Sequence, residues 1–196
     1  MKKYIIIVGI VAITACNNTH KTDSKATADT LNNMKDSVAD SSKSITKSLV
    51  MKVSHEDAKF AVSAADGGQA EVQLGQLASQ KGVAAGVKDF GNMMVKDHSA
   101  ANEKLKALAK SKGITLPDSL SEFELKTKNK LSAKSGKDFD KAYVDDMIED
   151  HQKDIREFES AIQTLKDPEL KAFATSTLPT LKMHLAAIQQ VKQQLK

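Results

Sequence analysis

Four ionisable side chains sit where an apolar helix face should have none. They are Glu71, His98, His151 and His184. With residues placed at about 100° each around a helix axis, Glu71 interrupts the stripe Phe60, Ala64, Gly67, Leu74 and Ala78. His98 falls in the middle of Val87, Phe90, Met94, Ala101 and Leu105. His151 centres the stripe Val144, Ile148, Ile155, Phe158 and Ile162, and His184 shares a face with Leu170, Phe173, Leu181, Ile188 and Leu195. Imidazole nitrogens and one carboxylate converging in a dry core can satisfy one transition metal ion: zinc, iron, manganese or copper. A buried carboxylate without a partner is costly, and a metal or a histidine relieves that cost. A purely structural network, with Glu71 accepting hydrogen bonds from the histidines and setting helix register, uses the same residues. Met94 and Met147 precede His98 and His151 by one turn, and Met183 adjoins His184. Thioether beside imidazole suits Cu(I), although methionine also serves simply to fill irregular core gaps.

These residues need long helices at matching heights. The periodicity from Ser54 onward is helical throughout. Ser54 with Asp57 three residues on forms a capping-box-like start, and the first long helix runs to Lys81, where Gly82 stops it. The second runs from Ala84 to Lys112 and stops at Gly113. After Pro117 a short helix surrounds Leu120, Phe123, Leu125 and Leu131, and Gly136 breaks it. The third runs from Asp138 to Leu165. Asp167, Pro168 and Glu169 supply a cap, a first-turn proline and an acid at the positive dipole end for the fourth, which reaches the C-terminus. Helices of about 28 residues are about 40 Å long. The chain is therefore expected to be all-α: a four-helix bundle, residues 54–196, with a short extra helix between its second and third members. The link between those two can either turn back or cross the whole length. His151 and His184 are equally far from the turn at Asp167, which puts them at one height. Aromatic, Met, aliphatic, Asp and His recur in register at Phe90, Met94, Val95, Asp97, His98 and at Tyr143, Met147, Ile148, Asp150, His151. Asp97 and Asp150 point toward helix flanks and read as outer or surface groups. Pro179 interrupts the fourth helix one turn before His184, where it should kink the axis. Gly67 and Gly68 read as a site of close helix approach.

The remaining chain bears on location. Lys2 and Lys3, the apolar run Tyr4 to Ile13, and Ile13-Thr14-Ala15-Cys16 read as a signal peptide over residues 1–15 ending in a lipobox. The run is too short to span a bilayer as a mature helix. Cys16, the only cysteine, would carry lipid and could form no intramolecular disulfide. Residues 16–53 read as a solvated tether rich in Ser, Thr, Lys and Asp, with Leu31, Val38 and Ile45 hinting at a marginal helix. Losing Lys2 and Lys3 takes 29 basic residues to 27, against 25 acidic ones. That near-balance, with no Trp, argues against nucleic acid. The expected partner is a membrane, through the lipid anchor, in the cell envelope; Asn17 after the cysteine favours the outer membrane. No protein partner is indicated. No nucleophile with a base and an orienting group, no phosphate-cradling loop and no thiol in the bundle point to an enzyme.

The stretches Asp66-Gly67-Gly68-Gln69-Ala70-Glu71, Val95-Lys96-Asp97-His98, Ser135-Gly136-Lys137-Asp138-Phe139-Asp140-Lys141-Ala142-Tyr143 and Leu178-Pro179-Thr180-Leu181-Lys182-Met183-His184 resemble the domain-of-unknown-function family 4142, over roughly residues 57 to 191. That family comprises exported bacterial proteins, often labelled outer-membrane proteins, grouped with ferritin-like four-helix folds. The resemblance implies a ferritin-like bundle and brings no established activity. Di-iron ferritin-like sites use Glu-x-x-His pairs. Here Val95, Ile148 and Leu181 stand three residues before the histidines, so the residues support a mononuclear site.

Overall fold

The computed structural model describes residues 23–41 and 53–195, and in that range the chain is all-helical. Six helices follow in order: α1 Ser24–Ser41, α2 His55–Lys81, α3 Ala85–Lys112, α4 Glu122–Ser132, α5 Gly136–Thr164 and α6 Pro168–Gln194. The four long ones are α2, α3, α5 and α6. None of the described helices is long and apolar enough to cross a membrane. The signal segment and Cys16 lie outside the described residues.

Local chemistry sets the boundaries. Ser54 Oγ accepts from Asp57 N, as its cap position requires. The Asp57 carboxylate does not close a capping box. It accepts instead from the Lys166 and Asp167 amides at 3.2 and 2.7 Å, tying the start of α2 to the α5–α6 turn. Asp167 caps α6 through Glu169 N and Leu170 N, with Pro168 in the first turn. Gly113 ends α3 in the left-handed region at φ 74°, where glycine pays no side-chain penalty. Ala84 cannot cap α3 with its own side chain. Asp140, from the first turns of α5, does so by accepting from Val83 N and Ala84 N. Gly136, expected to break the chain, opens α5 at φ 58°. Leu120 lies outside α4, whose cap is Ser121.

These ties decide the connectivity that length alone left open. Lys112 Nζ pairs with Asp167 and Glu169 at 2.7 Å each. The end of α3 therefore meets the start of α6 and, through Asp57, the start of α2. At the opposite end Asp140 meets the start of α3, Lys81 donates to the Ser132 carbonyl, and Gly86 faces Val191 near the end of α6. So α3 finishes at one end of the molecule and α5 begins at the other. The link 113–135, carrying α4, traverses the whole length, and α3 and α5 run in the same direction.

Part of the segment read as tether differs. Ser24–Ser41 is helical and its first half is docked. Ala28 is buried, the Asn32 amide exchanges two hydrogen bonds with the Thr115 backbone, and Lys35 donates to the Gly113 carbonyl. Of the heptad positions Leu31 is exposed, as is Met34, while the Val38 side chain and Ile45 lie outside the described residues. Polar clasps onto the 113–118 loop hold the first half of this helix.

The buried apolar side chains fall into two groups. Phe60, Leu105, Phe158, Leu170, Phe173 and Leu181 pack near the Asp167 turn. Leu74, Val87, Phe90, Met94, Phe139, Tyr143, Met147 and Ile188 pack toward the other end. On every long helix the interval between the two groups contains one of Glu71, His98, His151 and His184. Helices α2 and α3 approach most closely at Gly75 and Gly91. A Cβ on either would stand 2.6 Å from the other's carbonyl oxygen. Gly67 and Gly68 are not the site of closest approach. Gly67 has room, and Gly68 faces the Asn102 side chain.

Candidate metal centre

The layer between the two apolar groups brings all four predicted residues together. Glu71 is 1% exposed, and His151 and His184 are fully buried. His98 Nδ1 lies 2.7 Å from Glu71 Oε2, within ion-pair distance. His151 Nδ1 donates to the Met147 carbonyl at 3.0 Å. His184 Nε2 donates to Asp97 Oδ2 at 3.0 Å. Each outward nitrogen thus has an acceptor beside it, and with the proton placed there each inward nitrogen is free to present a lone pair.

Those inward nitrogens converge. His98 Nε2 and His184 Nδ1 are 3.3 Å apart, and His151 Nε2 and His184 Nδ1 are 3.4 Å apart. A ring nitrogen of each histidine lies within 4.8 Å of one on each of the others. Two nitrogens held by one tetrahedral ion at about 2.0–2.1 Å stand about 3.3–3.4 Å apart. Carboxylate or carbonyl groups on the outer N–H are also the usual orienting arrangement for metal-binding histidine. The donor set therefore fits a transition metal. Phe90 stands edge-on to both His151 and His184, closing the layer on one side.

Glu71 is placed differently from the histidines. Its Oε2 orients His98. Its Oε1 is buried without a hydrogen-bond partner and lies 3.5 Å from His151 Nε2. Asp97, which the wheel set on a flank, orients His184 from an adjacent helix rather than its own neighbour His98. Met94 and Met147 are buried in the apolar group beyond the histidines, and Met183 is exposed.

Sequence reasoning missed a second feature. A carboxylate oxygen each of Glu71, Asp150 and Asp154 lies within 4.8 Å of the other two. The available signal was Asp146, Asp150 and Asp154 at four-residue spacing on α5, a like-charge row that helices otherwise avoid.

Burial dominates the electrostatics. It lowers His98 to about 4 and His151 to about 3, and it also lowers His184, against the opposing hydrogen bond to the Asp97 carboxylate. The three imidazoles are neutral at neutral pH, as metal ligands must be. Burial raises Glu71 and Asp154 well above the usual carboxylate range, reinforced by neighbouring acids. Glu124 is pushed up to about 7 by burial, then by Asp150 and Asp66, with Lys153 opposing. A carboxyl with a raised folded pKa binds its proton more tightly in the native state. Its stabilising contribution is complete below the unfolded value and is lost as pH rises through the folded one. The three histidines act in the opposite sense: they take up protons on unfolding and so raise stability with pH up to their unfolded value of about 6.5. Removing one raised carboxyl should therefore tilt the balance, and urea denaturation in chelator between pH 5 and 8 should show Glu124→Gln gaining stability relative to the unaltered chain as pH rises. A difference between the two proteins that does not change with pH would contradict the assignment.

A model of the family described as "Domain of unknown function (DUF4142)" matches residues 43–191. Among curated proteins no relative matches the chain. Among solved structures, a DUF305 fragment from Deinococcus radiodurans is similar at TM-score 0.63 and 12% identity, covering 71% of this chain and 96% of its own. CopM in the Cu(I)-bound form is similar at TM-score 0.60 and 15% identity, with 70% and 96% covered. CopM in the Cu(II)-bound form gives 0.61 and 14%, with 71% and 97% covered. At these identities the likeness is one of helical fold.

Proposed function

The chain belongs to the family described as Domain of unknown function (DUF4142), and from that premise we propose that it is a metal-binding protein of the cell envelope, holding one transition metal ion between His98, His151 and His184. One observation carries this reading: three buried imidazoles bring ring nitrogens to 3.3 and 3.4 Å of one another, with an acceptor beside each outer nitrogen. Copper is the first ion to test, because the similar CopM structures are titled as Cu(I)- and Cu(II)-bound. Zinc is the second, since imidazole suits both. Glu71 would orient His98 and bring a compensating charge near the ion; Asp97 would do the same for His184. We read α2, α3, α5 and α6 as a ferritin-like four-helix bundle, supported by the single long link that crosses its length. Cys16, in its lipobox-like context, would anchor it to a membrane, preferably the outer one.

The test is a metal titration of the full chain against Asp97→Asn. Losing the carboxylate behind a metal-binding histidine costs about 10–100-fold in affinity. Asp97→Asn should weaken Cu(II) or Zn(II) binding by that factor while the chain stays folded. Equal affinity in the two proteins would remove the role given to Asp97 and count against the centre.

A second reading has its own support. Glu71, His98, His184 and Asp97 form one continuous chain of polar contacts across the core. In that reading the layer is structural, the protein acts by non-enzymatic interaction in the envelope, and no metal binds.

A further inference from the structure

Beyond the histidine layer, we propose that Glu71, Asp150 and Asp154 form a second cation site, one for a hard divalent ion, which shares the Glu71 carboxylate with the histidine centre. The three carboxylates each bring an oxygen within 4.8 Å of the others. Such crowding in a half-buried position is usually relieved by hydrogen bonds or by a lysine or arginine in contact. Among the described residues neither Asp150 nor Asp154 accepts a side-chain hydrogen bond, and no cationic side chain lies within 4 Å of either. The Lys153 ammonium is near enough to ease the charge on both aspartates, but it makes no ion pair with either and is placed over the Phe123 ring, 6.0 Å from its centroid.

Glu71 supplies a further indication. Its Oε2 lies 2.7 Å from His98 Nδ1, but Oε1 is buried with no hydrogen-bond partner. A buried carboxylate oxygen without a donor calls for a partner, and a bound cation is one that relieves it. Of the three carboxylates, Asp154 also lines a surface cavity of about 320 Å³, together with Asp66, Glu124, Lys153 and Glu157 among others, which brings solvent to the edge of the site. Water entering there can complete the coordination shell. All the protein donors are carboxylate oxygens, which suit Mg²⁺, Ca²⁺ or Mn²⁺ and not Cu(I). The site therefore differs from the histidine centre in chemistry, and the two stand or fall separately.

The test uses the full chain, stripped with chelator and titrated with Mn(II), with free Mn(II) read by electron paramagnetic resonance. One Mn(II) should bind per chain. Asp154→Asn and Asp150→Asn should each weaken it by about 10-fold or more, whereas His184→Ala, which dismantles the histidine centre, should retain it within about 3-fold. Far-UV circular dichroism checks folding, and if one amide variant fails to fold the other carries the comparison. No bound Mn(II) in the unaltered chain, unchanged binding in the amide variants, or a loss in His184→Ala as large as in Asp154→Asn would overturn the proposal.

Discussion

His151→Ala is expected to lose stoichiometric copper or zinc binding, with affinity falling by more than about 100-fold, because even an outer partner of a ligand is worth 10–100-fold. His151 is fully buried, its Nδ1 is fixed on the Met147 carbonyl, and its Nε2 sits 3.4 Å from His184 Nδ1. Removing it leaves two imidazoles and vacates the position that the third filled. The stability readout runs in the opposite direction. In chelator, His151→Leu should be as stable as the unaltered protein or more so, since a buried polar group replaced by a well-packed apolar one often costs nothing. Saturating metal should then stabilise the unaltered chain, by about 2.7 kcal/mol at 100 times Kd, and leave His151→Leu unmoved. Titration calorimetry and thermal melts with and without metal check both halves.

The second large effect is a steric one, at Gly91→Ala or Gly75→Ala. A Cβ on Gly91 would meet the Gly75 carbonyl oxygen at 2.6 Å and Ser79 N at 2.9 Å. Both are backbone atoms of α2, so no side chain can swing away. Alanine gains about 1 kcal/mol over glycine in a helix interior, and overpacking costs about 1–3 kcal/mol or more. With backbone on both sides the clash should dominate, for a net loss of about 2 kcal/mol. That corresponds to a fall in Tm of roughly 4–8 °C for a chain of this size. The substitution also separates the helices that carry Glu71 and His98, four and seven residues from the contact. Metal affinity should therefore fall along with stability. A Gly91→Ala protein with unchanged Tm would show that α2 and α3 can part without cost.

Much of this was legible in the residues. One polar group per apolar stripe is a pattern that periodicity exposes, and it found Glu71, His98, His151 and His184 without a structure. Asp167-Pro168-Glu169 and Ser54 mark helix starts by local hydrogen-bond chemistry, and they do so in the folded chain. What stayed hidden depends on which helix lies beside which. Asp97 serves His184 across an interface, and a wheel drawn for α3 alone places it on a flank. Asp150 and Asp154 gain meaning only when α5 is set against Glu71 of α2. Gly67-Gly68 attracted notice as a pair, yet single glycines at 75 and 91 make the close contact. Asp57 looked like a capping-box acid and is diverted to the Lys166 and Asp167 amides, a long-range bond that no local rule anticipates. The link 113–135 is long enough for either route, and only the ties of Lys112 and Asp140 to other helices decide it.

If His98, His151 and His184 hold one transition metal ion, elemental analysis of the purified full chain, loaded separately with copper and with zinc and then freed of excess ion, should find about one ion per chain that resists removal. Replacing His98 and His151 together by alanine should reduce it to background. A chain that carries no metal after loading, and whose stability is the same with and without either ion, rules the centre out.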